Sequence, residues 1–110
     1  MTNWTDILTG LIHRTSCDLP GDVEARLRDC AAAEEPGSRA AATCATILEN
    51  AALARERDTP ICQDTGTLTF FFTLPADGAV RPGTLETAAR EAVRAATRRG
   101  WLRRNTVAAV

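Results

Sequence analysis

The sequence predicts an α+β domain, predominantly helical, with about four helices and one clear strand, and three observations carry that reading. Four segments place apolar residues at the helical period, and Pro-Gly, Thr-Pro or Gly punctuation opens or closes each of them. One further segment alternates in the period of two that belongs to a strand. At 110 residues the chain reads as a single domain over 1–110, long enough for a core but near the size at which a lone module becomes marginal.

In the first segment Trp4, Ile7, Leu8, Leu11 and Ile12 fall at i, i+3, i+4, i+7 and i+8, which predicts a helix from about Asn3 to Ser16 that stops before Pro20-Gly21. Val23, Leu27 and Cys30 repeat the stripe in a shorter helix after Asp22, broken by Pro36-Gly37. Ser38 is placed to cap a third helix with Ala41, Cys44, Ile47, Leu48, Ala51 and Ala52 on one face, ending at Thr59-Pro60. Pro60 cannot continue a helix, because its ring removes a donor and disfavours helical geometry in the residue before it. Beyond a turn at Thr65-Gly66, Leu68, Phe70, Phe72 and Leu74 alternate with Thr67, Thr69, Phe71 and Thr73, which predicts the strand. Its one further candidate partner in the chain is the short run Val107–Val110; otherwise another chain must complete the sheet. Arg81-Pro82-Gly83 reads as a turn, with Thr84 capping a last helix whose stripe is Leu85, Ala88, Ala89, Ala92, Val93 and Ala96 and whose stop is Gly100.

Composition removes several chemistries. All thirteen basic side chains are Arg, there is no Lys or Tyr, and His13 is the single histidine, so a Schiff-base lysine, a tyrosine acid and a two-histidine metal site are excluded. Cys17, Cys30, Cys44 and Cys62 are spaced by 13, 14 and 18 residues, so no CxxC pair exists and zinc-ribbon and thioredoxin-like motifs are excluded. The first residues lack a basic start and an apolar stretch, and no run of 18 apolar residues occurs; the expected location is the cytoplasm, with no membrane partner. Net charge is −6 up to Val80 and +5 from Arg81 onward, so the C-terminal end is a basic patch able to face an anionic substrate, an acidic partner or nucleic acid, or simply to be a solvated face. Arg90, Arg94 and Arg98 share a helix face, but no aromatic residues interleave with them, which counts against single-strand recognition.

The segment Pro60-Ile61-Cys62-Gln63-Asp64-Thr65-Gly66 concentrates the chemistry, because it sets a thiol beside a carboxylate in a turn off every apolar stripe. Asp64 would raise the thiol pKa and no cation lies within three residues, so a free nucleophile is disfavoured; bonding to iron or zinc would deprotonate the thiol outright. A buried turn thiol with no chemical role is the alternative, whereas Cys17, Cys30 and Cys44 lie on or beside helical stripes, where a Cys ordinarily behaves as a small hydrophobe.

Cys-Gln-Asp-Thr-Gly resembles the motif of the class I iron–sulfur hydro-lyases, the fumarase and tartrate dehydratase alpha-subunit family. Leu19-Pro20-Gly21-Asp22-Val23, Asn50, Arg57-Asp58-Thr59-Pro60, the Phe70-Phe71-Phe72 segment, Ala92-Val93, Ala96-Thr97 and Leu102-Arg103-Arg104-Asn105-Thr106-Val107 fit the N-terminal portion of that family in order and spacing. The resemblance implies that Cys62 is one of three thiolates holding a [4Fe-4S] cluster, that Gln63 and Asp64 contact a bound dicarboxylate, and that Arg103 clamps one of its carboxylates. An Arg fork suits that role because two parallel bonds fix a carboxylate's orientation. Read without the resemblance, Gln63 and Asp64 could bond the turn's own backbone and Arg103 could be a solvated or helix-end charge.

The family's other cluster cysteines and its acid–base groups lie downstream of the position of Val110, so the remaining ligands are expected from a partner chain or a missing segment, and catalytic acid–base residues are unassigned. The expected function is a component of an iron–sulfur hydro-lyase that adds or removes water on a small dicarboxylic acid. The alternative is a truncated, catalytically inactive binding or assembly module of the same family, with homodimerisation through the unpaired strand.

Overall fold

The computed structural model describes residues 2–61 and 67–103 and contains four α-helices: α1 over Trp4–Cys17, α2 over Gly21–Ala33, α3 over Arg39–Arg57 and α4 over Pro82–Arg98. All four were predicted from the period, and their ends follow from local chemistry. Asn3 caps α1: its side-chain oxygen accepts the Asp6 N–H at 3.2 Å, while its amide donates to the Asp6 carboxylate at 2.7 Å. Ser38 caps α3 as predicted, its Oγ accepting the Ala41 N–H at 3.1 Å. For α4 the predicted Thr84 cap is corrected: the cap is Arg81, three residues earlier, and Pro82 opens the helix, where a missing N–H costs nothing and a fixed φ is already helical.

Two compact units divide the chain, Met1–His13 with Asp64–Val110, and Arg14–Gln63. In the second, α2 and α3 pack as an αα-hairpin joined through Glu34–Ser38, with Gly37 at φ +82° in the turn. The buried line of α3 is narrower than the predicted stripe: Ala51 and Ala54 are buried, Ala41, Cys44 and Leu48 half-buried, and Ile47 and Ala52 exposed. No residue of α2 is fully buried, and Cys30 is exposed rather than part of a core.

In the first unit the α4 stripe matches its prediction, with Leu85, Ala88, Ala89, Ala92 and Ala96 buried and Val93 half-buried. Leu8 and Ile12 are the buried residues in the part of α1 that belongs to this unit, one helical turn apart, while Ile7 and Leu11 are about half exposed. The core here is built mainly from alanines, so little apolar volume fills it. Trp101 is the large exception and is 6% exposed.

The predicted strand is corrected. Residues 67–75 take no regular secondary structure, no described residue lies in a strand, and no backbone hydrogen bond joins residues 67–74 to another described residue. The described fold is therefore helical rather than α+β. Alternation sets only a local preference for extended backbone, whereas a strand requires a second segment to exchange N–H···O=C bonds. Phe70 and Phe72, two residues apart, stack with ring centroids 6.0 Å apart and planes 5° from parallel, an arrangement compatible with the period of two in the sequence. Phe71 is 91% exposed. The alternative partner at Val107–Val110 and the turn at Cys62–Gly66 lie outside the described residues.

Gly100 stops α4 as predicted. It sits at φ +80°, its N–H bonds to the Thr97 carbonyl at 3.1 Å, and the Trp101 N–H bonds to the Ala96 carbonyl at 3.0 Å, which is the Schellman pattern. A Cβ at position 100 would meet no atom within 4 Å, so substitution is opposed by backbone conformation alone. Gly100→Ala is expected to lose about 1 kcal/mol. Thermal unfolding followed by circular dichroism should then show a midpoint lower by roughly 4–8 °C; an unchanged midpoint would show that the left-handed turn is not held in the folded protein.

Candidate functional site

Of the four residues singled out from the sequence, Cys62, Gln63 and Asp64 lie outside the described residues. Arg103 is exposed at the end of the described chain. The structure does show how the chain is led to each of these positions, and the two leads belong to different compact units.

The lead to Cys62 is the end of α3. Asp58 takes the left-handed conformation at φ 54°, its N–H bonds to the Ala54 carbonyl, and the Thr59 N–H bonds to the same carbonyl at 3.0 Å. This six-to-one bond turns the chain off the helix axis before Pro60, which could not have continued it. Ile61 is then tied down by its N–H, which bonds to the Ser16 carbonyl at the end of α1 at 2.9 Å. The residue immediately before Cys62 is thus held by backbone to a second element.

Beside that lead, Arg55 joins three segments. Its Nε and Nη2 donate to one Asp18 oxygen at 3.0 and 2.7 Å, and Nη2 also donates to Glu24 Oε2 at 2.9 Å. Asp18 follows α1, Glu24 lies in the first turn of α2, and Arg55 lies in the last turn of α3, so one guanidinium ties the end of α1 and the start of α2 to the end of α3. The hydrogen bond from Arg55 is the main cause that holds both carboxyls below the usual carboxylate range, with the Leu19 N–H assisting Asp18 and Arg28 assisting Glu24.

Cys17 is buried next to this network, with its Sγ within 4.8 Å of an Asp58 carboxylate oxygen. Burial, then Asp58, then Asp18 push its thiol pKa up, so it stays protonated at neutral pH and is a poor nucleophile. Cys44 is half-buried and Cys30 exposed, and no three thiols converge among the described residues.

The lead to Arg103 is the Schellman turn of α4, which delivers Trp101 to its buried position two residues earlier. The indole stacks on His13 with centroids 4.0 Å apart and planes 25° apart, and the Arg99 guanidinium lies 5.1 Å from the ring centroid. An aromatic anchor therefore precedes the exposed arginine.

A family model described as Fumarate hydratase (Fumerase) matches residues 5–110. The chain belongs to the class I fumarate hydratase family. It is also 39% identical over 97 residues, 88% of its own length, to a Geobacillus stearothermophilus protein that carries the name "Putative fumarate hydratase class I". The matched stretch is 18% of that relative, so the chain spans about a fifth of it. No solved structure matches the chain significantly. Among the described residues no helix is long and apolar enough to cross a membrane.

Sequence reasoning singled out Cys62 and Arg103 but not the residues that lead to them. Asp18 stands next to the family-like Leu19-Pro20-Gly21-Asp22 run, and Trp101 follows a helix-stop glycine, the position where a Schellman turn seats an apolar residue. Arg55 left no such signal, because its partners are 37 and 31 residues away in sequence.

The Arg55 network makes stability depend on pH. Because the folded carboxyls titrate below their unfolded values, the stability they contribute is complete above about pH 5 and is lost as pH falls through the folded values. Arg55→Met, which keeps the aliphatic stem, is expected to lower the thermal midpoint at pH 7 and to converge with the parent as the pH falls below the usual carboxylate range. Midpoints measured across that range that stay parallel would remove Arg55 as the cause.

Proposed function

We propose that this chain provides one corner of the active site of an iron–sulfur hydro-lyase that adds or removes water on a small dicarboxylic acid, fumarate hydratase or tartrate dehydratase in type. The observation that carries the reading is Cys62-Gln63-Asp64-Thr65-Gly66, standing in a chain whose residues 5–110 match the fumarate hydratase family. Cys62 is the one cysteine whose sequence neighbours are polar and turn-forming; the others lie in helices, and Cys17 is held protonated by burial and two carboxylates. This donor set fits a cluster that takes one thiolate from this stretch and its remaining ligands from a partner chain or from sequence beyond it.

When bound, a [4Fe-4S] cluster with an open iron supplies a Lewis acid toward substrate hydroxyl and carboxylate oxygens. The chain's own residues orient the substrate. Arg103 pairs with one carboxylate of the diacid through its planar fork, and Gln63 and Asp64, next to the metal-binding thiol, contact the same molecule. The preorganising elements are the backbone bond from Ile61 to Ser16 and the buried Trp101, which limit the freedom of the chain just before Cys62 and Arg103.

Anaerobic reconstitution with iron and sulfide tests the cluster assignment. In the assembled enzyme Cys62→Ser is expected to abolish stable cluster absorbance and bound iron, and retention of full iron content would sink the assignment. Arg103→Lys should leave iron content unchanged and raise KM for the dicarboxylate about 10-fold, since a point charge replaces a bidentate fork. An unchanged KM would leave Arg103 without a substrate role.

A further inference from the structure

Trp101 is the one buried aromatic ring among the described residues, and the side chain laid against it is His13 of α1. The ring centroids are 4.0 Å apart and the planes 25° from parallel, so the two rings stack rather than merely touch. His13 is half-buried, and Arg103, two residues beyond Trp101, is exposed. We infer that His13 is a positioning residue for the substrate clamp: by stacking on Trp101 it fixes the point from which Arg103 reaches the dicarboxylate. This role for His13 rests on the substrate contact proposed above for Arg103.

The helix that carries Trp101 cannot orient the indole by itself. Its buried face offers Leu85 and four alanines, and an alanine methyl has no rotamers with which to grip a ring. A flat partner restricts a flat ring more closely, because stacking resists tilt as well as displacement. The backbone of the same residue is fixed separately, by the bond from the Trp101 N–H to the Ala96 carbonyl at 3.0 Å. Main chain and side chain of Trp101 are thus held by two different helices.

That anchor matters for the residue that follows. Two residues span at most about 7 Å of chain, so little freedom accumulates between Trp101 and the Cα of Arg103. Arg99 is engaged with the anchor itself, its guanidinium 5.1 Å from the indole centroid. Arg103 is the cation that the turn leaves pointing onward along the chain's exposed end. An arginine fork gains from a fixed base, since two parallel bonds to a carboxylate form only over a narrow range of orientations.

Substitution in the assembled enzyme tests this. His13→Ala is expected to leave iron content and kcat unchanged and to raise KM for the dicarboxylate about 5-fold, the scale on which one loosened side chain must be re-ordered at each binding event. His13→Phe, which restores a stacking ring, should bring KM back to within about 2-fold of the parent. Because His13 acts through Arg103, adding His13→Ala to Arg103→Lys should raise KM less than about 2-fold beyond Arg103→Lys alone. Should His13→Ala fail to fold by far-UV circular dichroism, His13→Gln, which keeps a polar side chain and lacks the aromatic face, takes its place. An unchanged KM in the folded variant, beside a raised KM in Arg103→Lys, overturns the role of His13 and leaves that of Arg103 standing. Fully multiplicative effects, or a His13→Phe enzyme no better than His13→Ala, overturn it as well, since the stack is then packing alone. An Arg103→Lys enzyme with unchanged KM removes the substrate contact itself, and the role of His13 with it.

Discussion

A helix that must stop and turn at a defined residue is the constraint on which the rest of this structure depends. Both α3 and α4 end in a left-handed residue followed by a six-to-one backbone bond, from Thr59 to Ala54 and from Trp101 to Ala96. Each end leads toward a residue for which a role is proposed above, Cys62 or Arg103. The left-handed residue is Gly100 at α4, where the conformation is free of Cβ strain, but Asp58 at α3, where it is tolerated by a short polar side chain. The position before Cys62 is therefore reached through a left-handed turn, after which Pro60 bars further helix and the Ile61–Ser16 bond holds the chain.

Electrostatics reinforces backbone in the second unit. That unit has few fully buried side chains, and α2 has none, so apolar burial alone holds it weakly. Arg55 compensates by satisfying two carboxylates from two other segments with one planar group, a geometry that a lysine could not reproduce. The same acidic surroundings that favour Arg55 disfavour a thiolate at Cys17.

The two halves of the sequence reading fared differently for identifiable reasons. The α4 stripe from Leu85 to Ala96 and the Ser38 cap were legible because they depend on residues within a few positions of one another. Ile47 and Ala52 belonged to a periodic stripe yet stand exposed, since the period gives a face and only packing gives its width. The strand after the Cys62 turn failed for a related reason: period-two alternation dictates extended backbone, but a strand is a relation between two segments.

By itself the sequence determined the four helices, the stop at Gly100, the unusual thiol–carboxylate word at Cys62 and membership of a hydro-lyase family, because each is written in local spacing or in a contiguous motif. Only the tertiary structure decided that Arg55 would meet Asp18 and Glu24, that Trp101 would be buried against His13, and that the phenylalanine segment would find no strand partner among the described residues. Those outcomes turn on which distant groups come within hydrogen-bonding or van der Waals reach, and no periodicity along the chain encodes that distance.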